Sequence, residues 1–79
     1  MTKKEFKKIM CSELKIIRLE HGDDQLELAK KCGVATSTIS KYENGVGKIY
    51  IDKIEEIISA YNISLPIFFE RILAKSQEK

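Results

Sequence analysis

Few residues in this 79-residue chain could do covalent chemistry. Cys11 and Cys32 belong to no C-x-x-C pair, and His21 is the only histidine. A zinc site closed by protein ligands needs four of them at tighter spacing, so no metal is expected and the cysteines read as two small buried thiols. A Ser-His-Asp triad built on His21 would need a shielded pocket, and a chain this short offers no obvious one. Gly45-x-Gly47-Lys48 resembles a phosphate loop only superficially. The first glycine is missing at the required spacing, and Ile49 stands where a Ser or Thr would hold magnesium. No enzyme constellation survives, and neither a catalytic residue, a cofactor nor a small-molecule ligand is expected.

The remaining concentration of polar groups is "TSTISKYENG", residues 36–45, preceded by Gly33-Val34-Ala35. Its periodicity is helical. With Ile39 and Tyr42 turned inward, Thr36, Ser37, Ser40 and Lys41 face outward and Thr38 lies at the edge. A face chosen only for solubility usually carries Glu and Lys. Short hydroxyls can instead approach phosphate oxygens and base edges without crowding. The N-terminus of the helix adds a field that favours an anion.

Elements to position that face can be read from spacing and punctuation. Glycines at 22, 33, 45 and 47 and the single proline at 66 divide the chain, and apolar residues recur at three and four between them. Five helices result, an all-α class. The first spans about 3–21 on a stripe of Phe6, Met10, Leu14 and Ile17, with Gly22 closing it. The second spans about 25–32, with Asp24 and Glu27 arranged as a capping box. The third spans about 36–43. The fourth spans about 51–61 on Ile51, Ile54, Ile57, Ile58 and Tyr61, and stops at Asn62. The fifth begins at Ser64-Leu65-Pro66 and runs to about 75, leaving a frayed "SQEK". Only three residues join the second and third helices, which must therefore cross steeply. Ala29 gives the close approach, Gly33 gives the positive φ of the turn, and Leu28, Cys32, Val34, Ile39 and Tyr42 face inward.

Composition narrows the partners. Apolar residues are 43% of the chain and charged residues 33%, with a net charge of +2. That suits one globular domain over residues 1–79 and argues against bulk electrostatic binding, so a nucleic-acid contact must be local. The basic excess lies in residues 1–22, which hold six Lys or Arg against three Glu. A membrane-surface helix is disfavoured there by the interleaved Glu5, Glu13 and Glu20 and the absence of Trp. No membrane span or signal-peptide core is present, and a cytoplasmic location is expected.

The segment "LKIIRLEHGDDQLELAKKCGVATSTISKYENG" resembles the helix-turn-helix of the Cro/C1-type, or XRE, family of phage repressors and small bacterial regulators. "Q-x-x-L-A-x-x-x-G-V" followed by "S-T-I-S-K-Y-E-N-G" is the most specific part, and residues 51–69 resemble the two helices that follow. The likeness covers about residues 10–70 without a gap. It implies a lambda-repressor-like five-helix DNA-binding domain whose third helix enters the major groove. By the same resemblance, Thr36, Ser37 and Lys41 stand where bases are read, with Ser40 beside them. Gln25 would meet a phosphate and brace the recognition helix, and Thr38, Asn44 and Lys48 would meet phosphates. Arg18 and Glu43 match a pair that ties the first helix to the end of the third. Read as partly exposed, that pair is worth about 0–1 kcal/mol. The chain departs from the family pattern at Ala35, where a capping Ser or Thr is usual; at Asp23, where an apolar staple is common; and at Ile49, where proline is frequent.

Some apolar residues exceed what this fold needs. Ile9, Ile16 and Leu19 lie off the main stripe of the first helix, Leu26 is where exposed residues are usual, and Ile67, Phe69 and Leu73 crowd the fifth. They imply either a surface patch or a thicker core with the fifth helix bent onto the first. As a patch, Ile67, Phe69 and Leu73, or else the flank of the first helix, would join two copies about a two-fold axis, in a homodimer formed mainly on double-stranded DNA. The expected function is a sequence-specific transcriptional regulator, a repressor that occupies an operator. The alternative is a protein-interaction module on the same fold, antitoxin-like or antirepressor-like.

Overall fold

Backbone caps set the element boundaries. The computed structural model describes residues 2–76. Helix α1, Lys3–Glu20, starts at Thr2, whose hydroxyl accepts from the Glu5 amide at 3.1 Å while the Glu5 carboxylate accepts from the Thr2 amide at 3.1 Å. This reciprocal box satisfies two otherwise orphaned donors. The first helix ends one residue before the expected His21, which becomes its C-cap, and Gly22 follows with φ +73°. Helix α2, Gln25–Cys32, starts with the expected box between Asp24 and Glu27, at 2.7 and 2.9 Å. Helix α3, Thr36–Asn44, starts at Ala35 with no side-chain cap, as its sequence implied.

Helix α4, Ile51–Ser59, is two residues shorter than its apolar spacing predicts. Its last turn tightens through Ala60 and Tyr61 amides bonded to the Ile57 and Ile58 carbonyls, and Asn62 takes φ +58°. Helix α5, Leu65–Ser76, follows directly, with the Ser64 carbonyl accepting from the Phe68 amide at 2.9 Å. The rest of the expected frayed tail, residues 77–79, lies outside the described residues.

All five helices contribute to one core. It is built from Met10, Leu14 and Ile17 of α1, Leu28 and Ala29 of α2, Ile39 and Tyr42 of α3, Ile54, Ile57 and Ile58 of α4, Tyr61, and Phe68 and Ile72 of α5. Ile51, expected on the inward stripe of α4, is exposed instead, because it opens the helix beyond the edge of the core. The surplus apolar residues divide between the two outcomes. Ile9 and Phe69 pack on the core, and Phe69 stacks on Phe6 with ring centroids 6.2 Å apart. Leu19, Leu26, Ile67 and Leu73 are each about half exposed or more.

One polar feature of the core has no local signal in the sequence. Glu13 is fully buried on α1. Arg71 of α5 donates from Nε to its Oε2 at 2.7 Å and from Nη2 to both oxygens of Glu20 at 2.8 and 2.9 Å. The Lys75 ammonium lies 2.9 Å from Glu13 Oε1. Isolated, such a carboxylate would be costly to bury; here two cations from α5 accompany it. The clamp therefore fastens α5 along α1. Replacing Arg71 by Ala should destabilise the fold by about 3 kcal/mol, the low end for breaking a buried pair, because Lys75 still faces the carboxylate. Urea unfolding measures the loss as a fall in midpoint with unchanged slope.

Candidate nucleic-acid interface

The pair of helices that presents the hydroxyl face is fixed by a three-residue turn. Gly33 adopts φ +70°, which costs a residue with a Cβ more than it costs glycine, and its amide reaches Lys30 O. The Val34 amide then bonds Ala29 O at 3.0 Å. Ala29 is buried where the helices approach, and Leu28 and Ile39 are buried beside it, while Cys32 and Val34 are half-buried. Both cysteines are free thiols, and burial pushes each above the usual thiol value.

The far end of α3 is held by charge. Arg18 donates from Nε to Glu43 Oε2 at 2.7 Å and from Nη2 to Oε1 at 3.1 Å. Gln25 Nε2 donates to the same Oε1 at 3.0 Å, and Arg18 Nη1 reaches Asp23 O at 2.8 Å. The Arg18 and Glu43 side chains are only 7% and 2% exposed. The expectation of a partly exposed pair is thus corrected: both side chains are buried, and the bidentate fork is fully engaged. One carboxylate joins α1, the start of α2 and the end of α3.

On the outer side, Ser37, Lys41, Asn44 and Lys48 are exposed, and Thr36, Thr38 and Ser40 are half-exposed along the same helix. Gln25 sits half-buried at the start of α2. Asn44 turns back, donating from Nδ2 to Ser40 O at 2.9 Å and Ser40 Oγ at 3.3 Å. That hydroxyl keeps its own hydrogen to donate. Lys41 lies against the loop, where a Cβ on Gly47 would come within 3.0 Å of Lys41 Cε; Gly47 also has φ +76°. Lys7 of α1 donates to Gly47 O at 2.8 Å, so the loop after α3 is pinned to α1.

A second cluster replaces the missing staple. Asp23 Oδ2 accepts from Tyr61 OH at 2.8 Å and from Lys31 Nζ at 2.5 Å. Lys31 holds the Asp23 carboxyl below its ordinary value, helped by Tyr61. Burial, and then Asp23, pushes the Tyr61 phenol well above its own. His21 stacks on Tyr61 at 4.1 Å. The polar Asp23 thus joins the α1–α2 turn to the end of α4. Its replacement of an apolar residue was visible in the sequence, but its partner Tyr61 was not. Among the described residues, no group of three His, Cys, Asp or Glu side chains could hold a metal ion, and no helix is long and apolar enough to cross a membrane.

Two short helices crossing at a glycine turn, with a polar face on the second, define the helix-turn-helix class. The helix-turn-helix family model matches residues 14–68, and the chain belongs to this family, in its Cro/C1 or XRE type, a class of DNA-binding regulators. Curated relatives include antitoxin PezA of Streptococcus pneumoniae, 33% identical over 51 residues, which cover 65% of this chain and 32% of PezA. They also include antitoxin HipB of Escherichia coli K12, 29% identical over 58 residues, which cover 73% of this chain and 66% of HipB. The chain therefore spans about a third of one relative's length and under two thirds of the other's. No solved structure matches it at a significant level.

Replacing Glu43 by Ala should leave the Arg18 guanidinium buried without its partner and cost about 3–5 kcal/mol. A double variant, Arg18→Met with Glu43→Leu, should recover most of that loss. Urea unfolding of the two variants checks both values, and a double variant no more stable than Glu43→Ala would contradict the expectation.

Proposed function

We propose that this chain is a sequence-specific double-stranded DNA-binding regulator that represses transcription in the cytoplasm by occupying an operator. The observation that carries the reading is the short, hydroxyl-rich outer face of α3, held at one angle by the buried Arg18–Glu43–Gln25 network. In this reading Thr36, Ser37 and Lys41 meet base edges, with Ser40 beside them, and Gln25, Thr38, Asn44 and Lys48 meet phosphates. Gln25 spends one N–H on Glu43 and has a second for a phosphate oxygen. Asn44, committed to Ser40, is the weakest of the phosphate contacts.

The regulator acts as a two-fold dimer assembled on its operator. One recognition helix reads only a few base pairs, and two placed about 34 Å apart double the readout. The exposed apolar side chains Ile67 and Leu73 of α5 support a contact there. Phe69 packs inward against Phe6 and serves the fold instead of the contact. The antitoxin names of the relatives favour a second reading, in which the same α5 face takes a different protein.

Selection from a random duplex pool should enrich a pseudo-palindrome. On that duplex, Lys41→Ala should lose about 1–3 kcal/mol of discrimination at one base position, whereas Lys48→Ala should weaken all duplexes alike. Unchanged relative preferences in Lys41→Ala would remove Lys41 from the base-reading set.

Sedimentation with a two-site duplex should show two chains per operator, bound cooperatively. Ile67→Glu, an exposed change that leaves the core alone, should abolish the cooperativity and keep the fold. One chain per operator at saturation would exclude the dimer.

A further inference from the structure

We propose that Lys4 and Lys8, on the first two turns of α1, form a second phosphate-binding ridge that grips the DNA backbone beyond the groove entered by α3. This rests on the duplex reading above and extends it to residues outside the segment matched by the family model, which begins at residue 14.

Placement comes first. Lys4, Lys7, Lys8, Cys11 and Ser12 line one side of an open groove whose other side is Glu43, Asn44 and Gly45, the end of the recognition helix. The Lys7 ammonium bonds Gly47 O at 2.8 Å, and Lys41 also lies close to Gly47. The N-terminal turns of α1 are therefore pinned against the loop that carries Lys48. Lys4, Lys8 and Ser12 recur at four-residue spacing, so they share one face of the helix. In helix-turn-helix docking the recognition helix lies in the major groove and preceding structure crosses the backbone, so groups beside the end of α3 fall near flanking phosphates.

Charge comes second. The basic excess of residues 1–22 is not cancelled where it matters. Glu13 is buried with Arg71 and Lys75, and Glu20 is held by Arg71, both toward α5. Glu5 is turned to the Thr2 amide at the helix start. Lys4 and Lys8 are exposed and enter no ion pair among the described residues. The Arg71 clamp thus draws the acidic groups of α1 to one side and leaves its lysines on the other, next to α3. Two ammonium groups with no fixed hydrogen-bond geometry suit phosphate oxygens, which carry charge but no sequence information.

The test uses the full chain and a mixed-sequence duplex of about two helical turns, roughly 20 base pairs. Binding is titrated by fluorescence anisotropy across a salt series, for the natural chain and for the double variant Lys4→Ala, Lys8→Ala. Each lost phosphate contact reduces the slope of log affinity against log salt by about 0.9, so the double variant should lose about 1.8. Lys30→Ala, which removes an exposed charge on the C-terminal half of α2, should change the slope by much less. Trimming the duplex to about one turn should reduce the slope of the natural chain and leave that of the double variant nearly unchanged. A double variant with the natural slope, from a natural chain that binds, would overturn the ridge and leave the proposed function standing. A natural chain that binds no duplex even at low salt would overturn both.

Discussion

The Glu43 carboxylate is the constraint on which the placement of the outer face of α3 depends. It receives three hydrogen bonds, two from Arg18 and one from Gln25, in a site almost closed to water. Buried charge pairs contribute little net stability compared with a well-packed apolar core, but they tolerate only one arrangement. A helix of nine residues with no N-terminal side-chain cap would otherwise have little to fix its tilt and register. With its last turn tied to α1 and to the first residue of α2, α3 cannot rotate about its own axis without breaking the fork. Packing of Ile39 and Tyr42 fills the volume beneath it, and the carboxylate sets the angle.

Much of this was legible in the sequence because it is local. Helix boundaries followed glycines, caps and three–four spacing, which act within a few residues of themselves. The Asp24–Glu27 box, the positive φ at Gly33 and the capless Ala35 all appear where the pattern puts them. The Arg18–Glu43 pairing was reachable only through family resemblance, and its burial was not, since exposure depends on what closes over a group from elsewhere in the chain. The Glu13–Arg71–Lys75 clamp left no trace at all. A Glu between Ser12 and Leu14 looks like any surface residue until a helix fifty-eight positions away lies across it. Tyr61 and Asp23, thirty-eight positions apart, escaped for the same reason.

The two ends of α1 hold different kinds of partner. Its C-terminal half meets α3 and α5 through the buried carboxylates and the Leu14 and Ile17 core. Its N-terminal half adds Met10 and Ile9 to the same core, and touches α5 through Phe6 and Phe69 and the α3–α4 loop through Lys7. One long helix is thereby the common wall for α3 and for α5. Neither can be displaced independently of it.

The bare start of α3 has a thermodynamic consequence. No side chain caps the first turn of α3; the Thr38 amide bonds Ala35 O at 3.0 Å, and the amides before it are left to water. An acceptor on an incoming ligand releases that water and takes the place a Ser or Thr hydroxyl would occupy elsewhere. Such an acceptor would complete the first turn. A hydrogen bond to it would strengthen the helix end and the contact together.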